Sequence, residues 1–278
     1  MGSPQLPSYD VVRLIAESDH TELFMARHRV LGTEHALKRL RRSADPALRD
    51  ALRREGRVHA TVRHPNVVRL TDAVPDGTGE LVLVMDYVRG PSLADYLDRT
   101  GAPSRGQALK LTRALTRGLR AIHQQGIVHR DLKPENVMLS IEGGRSATPK
   151  IMDFGLAKEL QPDRRDPTST VSGVFRLLGT PEYMAPEQAI AAGEVDTRAD
   201  LFSLGCLLYE LLTGRVAFDA EETREALNAA RAERYVPVQS YVPDLPRYLV
   251  QLIDRLLVAD PDHRAQSCDE VLDALGTR

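Results

Sequence analysis

The sequence HRDLKPEN spans residues 129–136 of this chain, and DFG follows at residues 153–155. Together the two segments offer a carboxylate that can act as a base, an amine that can neutralise phosphate charge and two oxygen donors that suit a divalent cation. A third segment, APE at residues 185–187, closes the region that DFG opens. Three such segments in this order are far more specific than any one of them, and they indicate phosphoryl-transfer chemistry.

On these residues the chain resembles the catalytic domain of a eukaryotic-type (Hanks-type) Ser/Thr protein kinase, and APEQA at residues 185–189 resembles bacterial members of that family. The resemblance covers nearly all of the chain and implies an α+β, bilobal kinase fold. It places a small β-rich N-lobe at about residues 9–85, a hinge at about 86–90 and a larger helical C-lobe at about 91–278. Residues 1–8 are expected to form a flexible N-terminus.

The hydrophobic pattern of the chain agrees with this division. Runs of β-prone residues separated by turns occupy residues 9–40 and 67–88. A helix is expected between them, because Asp45 followed by Pro46 is typical of a helix start. After Val88 the apolar residues recur at helical spacing, which favours helices for most of the remaining chain.

The resemblance assigns chemical roles to four residues of the motifs. Asp131 would be the catalytic base that orients or accepts the proton of an attacking hydroxyl, and Lys133 would neutralise charge on the transferring phosphate. Asn136 and Asp153 would be ligands of Mg²⁺ (or Mn²⁺). ATP would be the phosphate donor.

The resemblance also predicts how ATP would be held. Lys38, at the end of a predicted strand, would contact its α- and β-phosphates, and Glu55 on the following helix would hold Lys38 as an ion pair. The rest of the nucleotide site is expected from apolar side chains and from the main chain of the hinge, although plain core packing of the apolar residues fits the sequence equally well. These residues are Ile15, Leu23, Ala36 and Met138 around the adenine, and Asp86 and Val88 of the hinge.

One part of the family pattern is missing. Between the first two predicted strands Ala16, Ser18 and Thr21 stand where the pattern G-x-G-x-x-G has glycines. Glycine lets the backbone approach phosphates closely, so side chains here should limit that approach. Two interpretations stay open: an active kinase with weaker ATP binding, or a pseudokinase that acts as a scaffold. The intact base, lysine and metal ligands favour the active enzyme.

The segment between Asp153 and Glu187 carries several hydroxyl side chains that are candidates for phosphorylation. Arg130 could pair with a phosphate there, so the sequence predicts activation by autophosphorylation that orders this segment. The candidate acceptors are Thr170 and Ser172, followed by Thr168 and Ser169.

Other side chains are expected to support the site without taking part in the chemistry. Thr180 would contact the catalytic loop, and Glu187 would form a buried ion pair with Arg264. Asp200 would brace the catalytic loop from a central helix. His59 is expected to be neutral and packed.

Bulk composition limits the choice of partners. The net charge of −2 gives no overall attraction to nucleic acid or membrane surfaces. Ten basic and three acidic residues in 38–69 make a nucleic-acid face a minority interpretation, since no aromatic residues are interleaved with them. Two cysteines without a disulfide framework, and no recognisable targeting or spanning segment, favour a cytoplasmic location. Protein substrates are the expected partners, and a homodimer for trans-autophosphorylation is a further hypothesis.

Overall fold

The computed structural model describes residues 3–18, 20–41, 46–141, 147–153, 180–190, 195–220 and 222–276. Within them a five-stranded sheet with one helix is followed by a predominantly helical region that carries a second sheet of two strands. None of the described helices is both long enough and apolar enough to cross a bilayer. The α+β, bilobal architecture expected from the sequence is therefore the one observed.

The N-lobe sheet is antiparallel throughout, with the strand order β1-β2-β3-β5-β4. Side chains alternate between its two faces, so Phe24 and Leu37 pack in an outer apolar cluster while Leu23 and Ala36 face the opposite side. The elements of this lobe are β1 (Tyr9–Glu17), β2 (Thr21–His28), β3 (Glu34–Leu40), α1 (Pro46–His59), β4 (Leu70–Pro75) and β5 (Leu81–Asp86).

The first described residues of the chain pack against the outer face of this sheet. Leu6 is only 4% exposed and belongs to the outer apolar cluster. The N–H of Gly77, in the turn between β4 and β5, donates to the carbonyl of Gln5 at 3.0 Å. The expectation of a flexible N-terminus over residues 1–8 therefore differs from the structure for residues 3–8, because burying Leu6 ties this segment to the sheet.

The C-lobe is built around α4, whose side chains are buried on nearly all sides. This fits a helix made mostly of leucine and other apolar residues, which needs no polar face. Helices α2 and α3 each begin at a serine with a complete capping box, Ser92 and Ser104. The elements are α2 (Leu93–Thr100), α3 (Arg105–His123), β6 (Val137–Ser140), β7 (Thr148–Ile151), α4 (Arg198–Thr213), α5 (Thr223–Arg231), α6 (Arg247–Leu256) and α7 (Cys268–Ala274).

The connection from β5 to α2 runs close to β6. Gly90 has a φ of 151°, and a Cβ atom at this position would lie 1.8 Å from the carbonyl oxygen of Leu139. Directly beside it, the N–H of Leu139 donates to the carbonyl of Pro91 at 2.9 Å. Only glycine allows the two backbones to approach this closely. The contact fixes the connecting segment against the strand that follows the catalytic loop.

Candidate active site

The loop between α3 and β6 carries HRDLKPEN and is held by one buried carboxylate. The main-chain N–H groups of His129 and Arg130 donate to the two oxygens of Asp200, each at 2.8 Å. His123, at the end of α3, places Nε2 2.8 Å from the same carboxylate. Burial opposes the charge on Asp200, but these hydrogen bonds outweigh it and lower its pKa. A charged Asp200 on the rigid helix α4 thus fixes the loop, as the sequence led us to expect.

Three polar side chains converge at the tip of this loop. The Asn136 amide nitrogen donates to the carbonyl oxygen of Asp131 at 2.7 Å and to its carboxylate at 2.9 Å. The Lys133 ammonium lies 3.8 Å from the same carboxylate and donates to the hydroxyl of Thr180 at 3.0 Å. The loop therefore brings a carboxylate, a cation and a carboxamide to one point. Because the amide nitrogen of Asn136 faces Asp131, its metal ligand would have to be the side-chain oxygen.

A buried cation joins the two lobes on the other side of the site. Lys38 on β3 donates to Glu55 on α1 at 2.7 Å and to Asp153 at 2.9 Å. Burial opposes the charge on Lys38, but the two carboxylates outweigh it and raise its pKa. Lys38 in turn outweighs the effect of burial on Asp153, whose pKa is lowered. Both Lys38 and Asp153 are therefore charged, which phosphate binding and metal binding require.

The donor set suits a hard divalent cation. Asp153 offers a carboxylate whose side chain is 32% exposed, and Asn136 offers a neutral oxygen. Magnesium is typically held by one or two carboxylates and completes its coordination with water and substrate phosphates. The residues present therefore fit Mg²⁺. No cluster of three or more His, Cys, Asp or Glu ligands occurs among the described residues, so they contain no all-protein metal cage.

Apolar side chains form a separate cluster between the sheet and β6. Leu23 and Ala36 contribute from the N-lobe and Met138 from β6, as expected for the two sides of an adenine pocket. Ile15 is half-buried and does not belong to this cluster. The full cluster consists of Leu23, Ala36, Val68, Leu70, Met85, Tyr87, Val88, Met138 and Met152.

The hinge expectation requires one refinement. The N–H of Asp86 donates to the carbonyl of Arg69 at 3.0 Å, which couples the end of β5 to the approach to β4. An adenine contact at Asp86 would therefore use its carbonyl oxygen. Val88, two residues further on, is buried in the apolar cluster and carries the second predicted main-chain contact.

Comparison with known proteins agrees with this geometry. The family of the protein kinase domain matches residues 9–274. The chain belongs to the protein kinase family. The matched region coincides closely with the folded unit described above.

Several curated proteins are similar to this kinase domain. The Serine/threonine-protein kinase pkn2 of Myxococcus xanthus is 40% identical over 271 residues, which cover 96% of this chain and 32% of that protein. The Serine/threonine-protein kinase PknB of Mycolicibacterium smegmatis is 32% identical over 280 residues, covering 98% of this chain and 43% of that protein. The kinase domain thus spans less than half the length of these relatives. The predicted resemblance to bacterial Ser/Thr kinases is confirmed.

A solved structure supports the fold independently. The crystal structure of Rad53 1-466 in complex with AMP-PNP matches the kinase domain with a TM-score of 0.77 and 26% sequence identity. The match covers 97% of this chain and 64% of that chain. The two-lobed architecture predicted from the sequence is confirmed.

A second ion pair stabilises the C-lobe of the kinase domain beneath the substrate side of the site. The guanidinium of Arg264 donates to both oxygens of Glu187, at 2.7 and 3.0 Å. The Arg264 side chain is fully buried, while that of Glu187 is 22% exposed. This is the pairing expected from the sequence, and it links the segment after Thr180 to the region before α7.

Two histidines of the kinase domain are packed in the core beside the site. His59 places Nε2 2.6 Å from the carbonyl oxygen of Val68, and His129 places Nε2 3.0 Å from that of Met152. Burial is the main cause that lowers the pKa of both imidazoles. His59 is therefore neutral at physiological pH, in agreement with the interpretation from the sequence.

A basic cavity lies between α1 and the segment that leads into the catalytic loop. Its volume is about 310 Å³, and Arg54, Arg57 and Arg130 line it together with apolar residues. The candidate acceptors Thr168, Ser169, Thr170 and Ser172 lie outside the described residues, as do Phe154 and Gly155 of the DFG segment.

Sequence reasoning missed several residues of the site. Val68 and Met152 pack into the apolar cluster, and His123 bonds the carboxylate that braces the catalytic loop. Met152 directly precedes Asp153, and this adjacency was a usable signal. His123 offered none, because its contact with Asp200 joins residues 77 positions apart.

Proposed function

We propose that this kinase domain transfers the γ-phosphoryl group of ATP to Ser and Thr hydroxyls of protein substrates. The observation that carries the proposal is the convergence of Asp131, Lys133 and Asn136 opposite the Lys38–Asp153 pair. Similarity to curated bacterial Ser/Thr kinases supports the choice of acceptor. The AMP-PNP named for the Rad53 structure supports a nucleotide in the apolar pocket.

The chain's own residues account for each part of the reaction. The substrate hydroxyl oxygen forms a bond to the γ-phosphorus as the bond to the ADP oxygen breaks, and Asp131 takes the hydroxyl proton. Lys133 offsets negative charge on the transferring group, and Thr180 holds the Lys133 ammonium at 3.0 Å. Lys38, kept in place by Glu55, would hold the phosphates that remain on the nucleotide. Asn136 and Asp153 would hold Mg²⁺, which supplies charge neutralisation on the phosphate oxygens.

A scaffold without catalytic activity is less well supported. A protein that only bound partners would have no need for a buried lysine held between two carboxylates, nor for a base fixed by Asn136. These arrangements cost desolvation energy and make sense where phosphate and metal are bound. A cytoplasmic location and homodimerisation stay predictions from the sequence.

The direct test is transfer of label from radioactive ATP with Mg²⁺ to a generic protein substrate. We expect label transfer by the wild type and a loss of roughly 10²–10³-fold in Lys38→Met, because that variant removes a preorganised cation from the phosphate site. Lys110→Met, which changes an exposed lysine on α3, is the matched control and should retain full activity. Equal activity in Lys38→Met and Lys110→Met would contradict the proposed function.

The basic cavity supports a regulatory extension of this function. Three guanidinium groups in one cavity of about 310 Å³ would favour a phosphate group bound between them. We expect autophosphorylation within residues 165–175, mainly at Thr170 and Ser172, and slower activation when both are changed to Ala. Phosphopeptide mapping of active enzyme checks this. Full activity without phosphate at any of the four candidate residues would disprove autophosphorylation as the activating step.

A further inference from the structure

We propose that Ser18 closes the turn between β1 and β2 on itself and thereby weakens ATP binding by this kinase domain. The inference rests on the proposed function, since it concerns the turn that would cover the nucleotide phosphates. Ser18 would be a positioning residue: it acts through the main chain of its own turn. Its presence would set the affinity for nucleotide without changing the chemical step.

The main-chain donors of the turn are bonded within the turn. The N–H of Ser18 donates to the carbonyl of Thr21 at 2.9 Å. In the other direction, the Ser18 hydroxyl oxygen accepts from the N–H of Thr21 at 3.1 Å and from that of His20 at 3.4 Å. The hydroxyls of Ser18 and Thr21 are themselves 2.8 Å apart. Three N–H groups that a phosphate could use are therefore already engaged.

Arg41, just after β3, anchors both sides of the same turn. Its N–H donates to the carbonyl of His20 at 2.8 Å, and its guanidinium donates to the carboxylate of Glu17 at 2.6 Å. The last residue of β1 and the residue before β2 are thus tied to one side chain and its backbone. This anchoring makes spontaneous opening of the turn less favourable.

The strand register places the turn next to the phosphate anchor. Leu23 on β2 pairs directly with Lys38 on β3, and Thr21 pairs with Leu40. Residues directly opposite each other, and residues two apart on one strand, share a face of a sheet. Thr21 and Leu23 therefore lie on the same face as Lys38, and the turn begins immediately beyond Thr21.

The turn is also free of the backbone conformation that glycine makes accessible. Among the described residues other than glycine, positive φ occurs at Arg130, Asp153 and Glu233. None of the described turn residues is in this group, so a side chain is tolerated throughout. Removing the Ser18 hydroxyl should consequently release the N–H groups of His20 and Thr21 without introducing strain. Ser18 is exposed, and no core contact is lost.

The test compares Ser18→Ala with Ser18→Thr, because alanine removes the hydroxyl and threonine keeps it. We expect the Kd for AMP-PNP with Mg²⁺, measured by calorimetry, to fall roughly 3- to 10-fold in Ser18→Ala and to stay at the wild-type value in Ser18→Thr. The KM for ATP should fall in parallel, while kcat should change by less than about twofold.

The outcomes separate this inference from the function on which it rests. Wild-type binding with an unchanged or higher Kd in Ser18→Ala would overturn the role of Ser18 alone, and a higher Kd would mean that the hydroxyl itself contacts the phosphates. The same fall in Kd for both variants would also overturn it. Absence of AMP-PNP binding in the wild type and both variants would overturn the proposed function as well.

Discussion

Asp131→Asn should reduce label transfer from ATP by about 10²–10⁴-fold, the range for loss of a positioned general base. The asparagine keeps the size of the side chain and can still accept the hydrogen bond from Asn136, which is 2.9 Å long in the wild type. It cannot accept the proton of the substrate hydroxyl. The loss should therefore appear in kcat, whereas the Kd for AMP-PNP should stay close to the wild-type value.

Two comparisons isolate the chemical role of Asp131. Asp244→Asn changes a carboxylate whose side chain is 81% exposed and remote from the catalytic loop, so it should leave kcat unaltered. Thermal unfolding of Asp131→Asn should match the wild type, because the polar contacts of the loop survive. A kcat within tenfold of the wild type would show that Asp131 is not the base. A lower Tm together with lost activity would assign it a structural role instead.

Arg264→Leu should lower the free energy of unfolding by about 3–5 kcal/mol. The side chain is fully buried and bonds both oxygens of Glu187. Its guanidinium also donates to the carbonyls of Arg198, Val258 and Ala259 at 2.7, 2.9 and 3.0 Å. Leucine leaves those carbonyls and a largely buried carboxylate without their donors, which costs more than the original bonds contributed.

Urea unfolding of the matched variant Arg105→Leu provides the comparison. Arg105 pairs with Asp244 at 3.2 Å on the surface, with a side chain 45% exposed, so its loss should cost less than about 1 kcal/mol. Adding Glu187→Leu to Arg264→Leu should restore part of the lost stability, since the unpaired carboxylate is then removed. Equal costs for the two arginine variants, or strictly additive costs in the double variant, would contradict this account.

The residues that the sequence predicted well are those whose neighbours are fixed by a short segment of chain. Asp131, Lys133 and Asn136 lie within six residues, so the loop that holds one holds all three. The serines at 92 and 104 announced two helices because a capping box is a local interaction.

Contacts between distant parts of the chain were beyond local patterns. Leu6 is a single apolar residue between prolines, and its segment is held by Gly77, far along the sequence. The Ser18 turn was recognised as a departure from the glycine pattern. Its closed hydrogen bonding depends on Thr21 and on Arg41 from another strand, which only the folded sheet brings together.

The packing of residues 3–8 has a practical consequence for preparing this kinase domain. A truncation that starts at residue 9, where the family match begins, would delete Leu6 and uncover the outer apolar cluster that contains Phe24 and Leu37. Apolar surface newly exposed on a sheet favours self-association. A shortened protein would therefore be prone to precipitate even though every catalytic residue was retained, and its low yield would be mistaken for a defect in the enzyme.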